Sequence, residues 1–285
     1  MKEVKIIGVP EHFNLPWHLA IEEGAFENRG IDLQWTDIPE GTGKMCHMLA
    51  HGETDLAIIL TEGLVKSITE GNPSKIVQEY IASPLLWGIH VGAQSRFKKI
   101  SEVKNTKAAI SRFGSGSHLM AYVNAQKKGW DTGELQFEVI NNLEGAVAAL
   151  TTGIADYFMW EHFTTKPLVD KGIFRRLGDC PTPWPCFVIA ATDKFLQENS
   201  AILGHILELI NRYTKEFKKI PSIDRTLANR YGQRLEDIQE WLSLTRWSQS
   251  QLNTQVLDKV QDTLHNLRLI DKILSPDEIL GNFNI

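Results

Sequence analysis

The feature that most constrains this chain is an internal repeat. Leu49, Gly52 and Asp55 precede one apolar run, and Leu150, Gly153 and Asp156 precede another, each 101 positions further on. The same offset carries Ala20 to Ala121 and lays the loop after Val9 over the loop after Ile110. In both copies the glycine stands where a helix would end, a place that favours the left-handed backbone. A repeat of this kind predicts two similar α/β lobes in tandem, and open α/β sheets take ligands at strand carboxyl ends and helix N-termini.

The hydrophobic pattern agrees. Apolar runs of strand length cover 4–9, 31–35, 55–60, 76–81, 85–91, 107–110, 137–140, 157–160 and 186–191. Segments of helical spacing, 15–26, 44–50 and 64–69, lie between the first of them. Strands alternating with helices predict a mostly parallel sheet. From Ala201 onward the pattern is helical, with breaks near Pro221, Gly232 and Ser248.

Composition narrows the partners. Of 285 residues, 42% are hydrophobic and 23% charged, which excludes long disorder. A net charge of -5 gives no electrostatic case for a nucleic-acid partner. No apolar run approaches the ~20 residues of a membrane span. Three Cys suit a reducing compartment, and the charged opening, Met1 to Phe13, does not read as a signal peptide. The expectation is a cytoplasmic protein, or a periplasmic one if a signal peptide has been removed.

The order Asn14-Leu15-Pro16-Trp17, Gly24-Ala25-Phe26, Gly30 to Leu33, Gly41-Thr42-Gly43 and Leu49 to Leu60 resembles type II periplasmic-binding-protein-like domains. Within them it is similar to the branch of taurine, sulfonate and nitrate solute-binding proteins and thiamine-pyrimidine synthases. The resemblance covers roughly residues 1–220. It implies a two-lobed α/β clamshell with a helical C-terminal extension, hinging shut on a small ligand. Lobe one would hold residues 1–84 and 189–285, and lobe two 85–188. The chain departs from the exported relatives in its opening, and from the synthases in lacking adjacent cysteines. Their pyridoxal-phosphate chemistry is therefore not carried over, and neither a cofactor nor a catalytic residue is assigned.

Candidate ligand contacts follow the loops after the strands. After the first strand stand His12, Asn14 and Trp17, with Pro16 suited to a first helical turn. Gly41, Thr42 and Gly43 open the next helix, where backbone N–H groups favour oxyanions. The matching loop of lobe two, with Arg112, Phe113, Gly114, Ser115, Gly116 and Ser117, adds hydroxyls and a cation. Thr61 and Glu62 in one lobe, and Trp160 and Glu161 in the other, would favour ligand N–H groups if the carboxylates are buried. Trp17, Trp160, Trp184 and Phe113 would supply flat apolar walls.

His47 and His51 have the i, i+4 spacing of a zinc pair, but no third ligand is apparent and no metal is assigned. The leading expectation is a non-catalytic solute-binding protein of the transporter-associated kind, closing on a planar, nitrogen-bearing ligand with an anionic group. A thiamine-pyrimidine-synthase-like enzyme, testable at His12, Lys44, Glu62 and Cys186, or a cytoplasmic ligand sensor are the alternatives. The partner is a small molecule in each case, and no transporter or regulatory partner is specified.

Overall fold

The computed structural model describes residues 1–281, and residues 282–285 of the expected first lobe lie outside the described residues. The chain divides into two compact units, Met1–Ser83 with Trp184–Ile285, and Pro84–Pro183. The first stretch contributes β1 (Lys2–Gly8), β2 (Ile31–Asp37), β3 (Leu56–Leu60) and β4 (Ser74–Ile81). The second unit contributes β5 (Leu86–Gly92), β6 (Lys107–Ile110), β7 (Gln136–Val139), β8 (Tyr157–Glu161) and β9 (Phe174–Pro181). Then β10 (Phe187–Thr192) returns to the first sheet.

Helices connect them. The first unit has α1 (Leu15–Glu22), α2 (Thr42–Ala50) and α3 (Thr61–Thr69). The second has α4 (Gly116–Lys127), α5 (Leu143–Thr152) and α6 (His162–Asp170). The C-terminal region is α7 (Asp193–Glu216), α8 (Ile223–Tyr231), α9 (Leu235–Leu244), α10 (Thr254–Asn266) and the short α11 (Pro276–Ile279).

The sheets are built to one plan, β2-β1-β3-β10-β4 and β7-β6-β8-β5-β9. In the first, β1 runs parallel to β2 and β3, and β10 is antiparallel to both β3 and β4. In the second, β6 runs parallel to β7 and β8, and β5 is antiparallel to β8 and β9. Four of the five strands in each sheet run the same way, as the sequence predicts, and one antiparallel strand makes each sheet mixed. Helices α3 and α6 do carry the chain to parallel strands, but each crossing skips a place that an antiparallel strand fills. Strand β9 escapes the sequence pattern because Arg175, Arg176 and Asp179 interrupt its apolar run.

The repeated residues perform the same task in both units. Asp55 donates its N–H to the Lys5 carbonyl at 3.1 Å and accepts the Lys5 N–H on Oδ2 at 2.8 Å. Asp156 makes the same pair with Lys107, at 2.8 and 2.9 Å. This reciprocal clip starts β3 beside β1, and β8 beside β6. Gly52 and Gly153 both have left-handed backbone, φ +65° and +74°. Gly153 is the cap of α5, whereas Gly52 lies one residue beyond His51, which caps α2.

In the first unit, every residue of β3 and of β10 is buried, as central strands covered on both faces must be. Leu203, Ile206, Leu207 and Ile210 make the buried stripe of α7 at helical spacing, and Leu257, Val260 and Leu264 that of α10. The second unit has its own core around Ala109, Ala146, Leu150, Phe158 and Phe174.

The division falls at Pro183, before the boundary of 188 read from the sequence. Trp184 to Val188 belong with the first sheet. Thr61 holds that segment: its N–H reaches the Cys186 carbonyl at 3.0 Å, and its Oγ1 donates to Pro185 O at 2.6 Å.

Candidate functional site

Strands β1 and β3 are parallel neighbours, so the loops that leave their carboxyl ends lie on one edge of the first sheet. After β1 the chain makes a 3-10 turn, His12–Asn14, and enters α1 with Pro16 in its first turn. His12 and Asn14 are both buried. Asn14 Nδ2 donates to Val9 O at 2.8 Å, which fixes its amide, while its Oδ1 has no partner within the protein. His12 lies flat on Trp241 of α9, centroids 4.3 Å apart and planes 7° apart, and its Nε2 is also unpaired. Burial pushes the His12 imidazole down to about 3, so it is neutral at physiological pH.

At the start of α3, Glu62 is 1% exposed. Trp184 Nε1 donates to its Oε2 at 2.7 Å, and Oε1 has no partner within the protein. Burial raises the Glu62 carboxyl to about 7, against the opposing effect of its hydrogen bonds. Nearby in sequence order, Gly41 takes φ +75° to begin α2, and Thr42 is buried. A Cβ on Gly63 would stand 2.3 Å from the Thr42 methyl, so the close approach of α2 and α3 requires glycine there. Gly43 is half-buried.

The remaining first-unit candidate is corrected. Trp17 is fully buried, stacked 6.0 Å from Phe26 and facing Trp35 and Tyr80, and it is a core residue rather than a wall for ligand. Trp184 changes both unit and role, from an aromatic wall of the second lobe to the hydrogen-bond donor of Glu62 in the first. Trp241, Tyr231 and Tyr80, which surround this edge, were not singled out by sequence reasoning. Trp241 stood in an amphipathic helix, whose spacing signals burial and not location.

In the second unit the loop after β6 is tightly organised. Ser115 caps α4, accepting from His118 N at 3.3 Å. Ser111 N–H donates to Ser117 Oγ at 3.0 Å, and the Ser115 and Ser117 hydroxyls lie 3.0 Å apart. Gly114 has φ +79° and donates to His118 Nδ1 at 3.2 Å, while Gly116 is the first helical residue. Arg112 is half-buried, and Phe113 is 66% exposed, edge-on to His118.

Glu161 is a helix cap. Its Oε2 accepts from Thr164 N at 2.6 Å and Thr164 Oγ1 at 2.8 Å, and burial still raises its carboxyl above the ordinary range against those bonds. Trp160 is half-buried and packs on Phe158, edge-on to Trp87, as part of the core's rim. Beside them runs a polar network that sequence reasoning missed. His162 Nδ1 meets Asp179 Oδ1 at 2.8 Å, and Thr165 Oγ1 meets His90 Nε2 at 2.9 Å. Burial pushes His90 down to about 4. The one local signal was Gly88, whose Cβ would lie 2.5 Å from the His90 ring.

Comparison with solved structures decides the architecture. The conserved Candida albicans CA3427 gene product, which exhibits the generic periplasmic binding protein fold, matches with a TM-score of 0.90 at 24% identity, over 100% of this chain and 98% of that one. The chain has the periplasmic-binding-protein fold. A family model described as Ca3427-like PBP matches residues 87–180. The alkanesulfonate-binding protein SsuA of Xanthomonas axonopodis pv. citri, bound to MOPS, matches with TM-score 0.81 and 16% identity over 98% of this chain and 96% of its own. The periplasmic aliphatic sulphonate binding protein SsuA of Escherichia coli matches with TM-score 0.76 and 18% identity over 98% and 97%. No match was found among curated proteins.

Of the residues named for an enzymatic alternative, His12 and Glu62 share one edge of the first sheet, and the Cys186 carbonyl accepts from Thr61 N beside Glu62. Lys44 is exposed on α2, Cys186 is buried at the head of β10, and His12 is buried and stacked on Trp241. No helix among the described residues is long and apolar enough to cross a membrane.

Proposed function

We propose that the chain is a solute-binding protein for a small, nitrogen-bearing molecule that also carries an anionic group. One observation supports it above the others: His12 Nε2, Asn14 Oδ1 and Glu62 Oε1 are buried and unpaired on the same edge of the first sheet. An unmet buried polar atom costs about 1–3 kcal/mol, a cost that a ligand donating N–H groups to Asn14 and Glu62 removes. The second unit, taken by itself, carries groups suited to an anion in Arg112 and the N-terminus of α4. Phe113 offers it an exposed flat surface. The Xanthomonas neighbour's MOPS, a sulfonate with a ring nitrogen, has both features and supplies the probe.

The test is calorimetry with MOPS, under conditions where its ring nitrogen is protonated, and with propane-1-sulfonate, which has no nitrogen. MOPS should bind more tightly. Glu62→Gln should weaken MOPS and leave propanesulfonate nearly unchanged, whereas Arg112→Ala should weaken both by at least about tenfold. Equal affinities across wild type and both variants, or no saturable binding of either sulfonate, would overturn the reading. A yellow pyridoxal-phosphate adduct abolished by Lys44→Ala would instead favour the enzyme.

A further inference from the structure

The last turn of α2 carries a second constellation, unrelated to the residues above. His47 and His51 stand one helical turn apart, with ring centroids 4.0 Å from each other. Their spacing alone leaves a zinc pair without a third ligand. The turn after α2 provides it: Glu53 N–H donates to Met48 O at 2.9 Å, which folds the chain back and sets Glu53 Oε1 3.8 Å from His47 Nε2. One ligand atom from each of the three residues lies within 4.8 Å of the other two, and all three side chains are exposed.

We propose that His47, His51 and Glu53 form a binding site for a divalent transition metal of the zinc class. Two imidazoles and a carboxylate are a zinc donor set that leaves one coordination position open. Metal–ligand bonds of about 2.0–2.2 Å in tetrahedral geometry bring donor atoms to about 3.4 Å, a short closure from the separation of His47 and Glu53. The His51 Nδ1 lies 2.8 Å from the His47 carbonyl oxygen, and donating there leaves Nε2 as the nitrogen with a lone pair for a metal. The site also sits at a helix C-terminus, where the helix dipole favours a cation.

The experiment is zinc titration of the full, tag-free chain by calorimetry at pH 7.5, using zinc alone with no other ligand. A single saturable site is expected. His47→Ala and His51→Ala should each weaken it at least about tenfold, in keeping with the loss of a metal ligand. Glu53→Gln should weaken it less. Magnesium, which prefers all-oxygen sites, should not compete. Circular dichroism on the variants, all at exposed positions, checks that the fold persists. Unchanged zinc affinity in both histidine variants, or no saturable binding by wild type below about 100 μM, would overturn the assignment.

Discussion

The starts of α3 and α6 occupy the same place in two sheets of one design, yet they treat a buried carboxylate in opposite ways. Glu161 ends β8 and caps α6, with Thr164 meeting its Oε2 twice. The residue 101 positions earlier is Leu60, which caps α3 without a side chain to offer. Glu62 lies two residues further, opposite Phe163 in the repeat. It is tied to Trp184 and keeps one oxygen unmet. The two glutamates resemble each other in the sequence because both follow a strand, but they are not counterparts. One completes its own unit, and the other is incomplete within the protein. Under the proposed function, that difference separates a residue of the scaffold from a residue that meets the ligand.

The tryptophans paired with those glutamates give the largest expected effect. Trp184→Ala should lower unfolding free energy by about 3–5 kcal/mol, from the lost buried ring and from leaving Glu62 without its donor. Trp160→Ala, at a half-buried core rim, should cost clearly less. Urea unfolding that finds the two equal would break the distinction.

Titration sharpens it next. The Glu62 carboxyl titrates near 7 in the folded chain and near 4.5 when exposed, so the folded state holds the extra proton between those values. Stability contributed by that proton is present below pH 4.5 and lost as pH rises to 7, on the order of 3 kcal/mol. Glu62→Gln should therefore gain on wild type across that window in denaturation midpoints. His12 acts with the opposite sign: its folded value near 3 makes stability fall as pH drops from 6.5 toward 3. Only the difference between variant and wild type isolates Glu62, and a flat difference would refute its raised value.

Capping gives a smaller effect. Glu161→Ala should cost about 1 kcal/mol through the loss of an N-cap, read as a lower Tm. Glu62→Leu removes an unmet oxygen but strands the buried Trp184 Nε1–H, so the two effects oppose and the net cost should stay within about 1 kcal/mol while MOPS binding weakens. The smallest effect should be the same in both units. Asp55→Ala and Asp156→Ala each lose a clip to a lysine N–H, and each should cost about 0.5–1 kcal/mol.

How legible this was depends on what each residue does. The repeat, the strand runs and the helical C-terminus were readable because burial imposes a period on the chain, and the Asp–Lys clip imposes fixed residues at fixed spacing. The antiparallel insertions were not, since β5 and β10 have the same apolar composition as their parallel neighbours. Trp17 and Trp184 were visible as large apolar residues beside strand ends, but whether a ring faces the core or a carboxylate is a matter of tertiary packing. Glu53 was missed as a partner of His47 because it lies beyond the helix, where helical spacing no longer applies.

The position of β10 between β3 and β4 reverses the order in which the protein can be completed during synthesis. All five strands of the second unit come from one continuous stretch, Pro84–Pro183, so it has every strand it needs once Pro183 has been added. At that moment β4 has no neighbour in its own sheet, because the strand that joins it to β3 has not been made. The strands needed for the second sheet are therefore all present in the growing chain before those needed for the first, although the first begins earlier in the numbering.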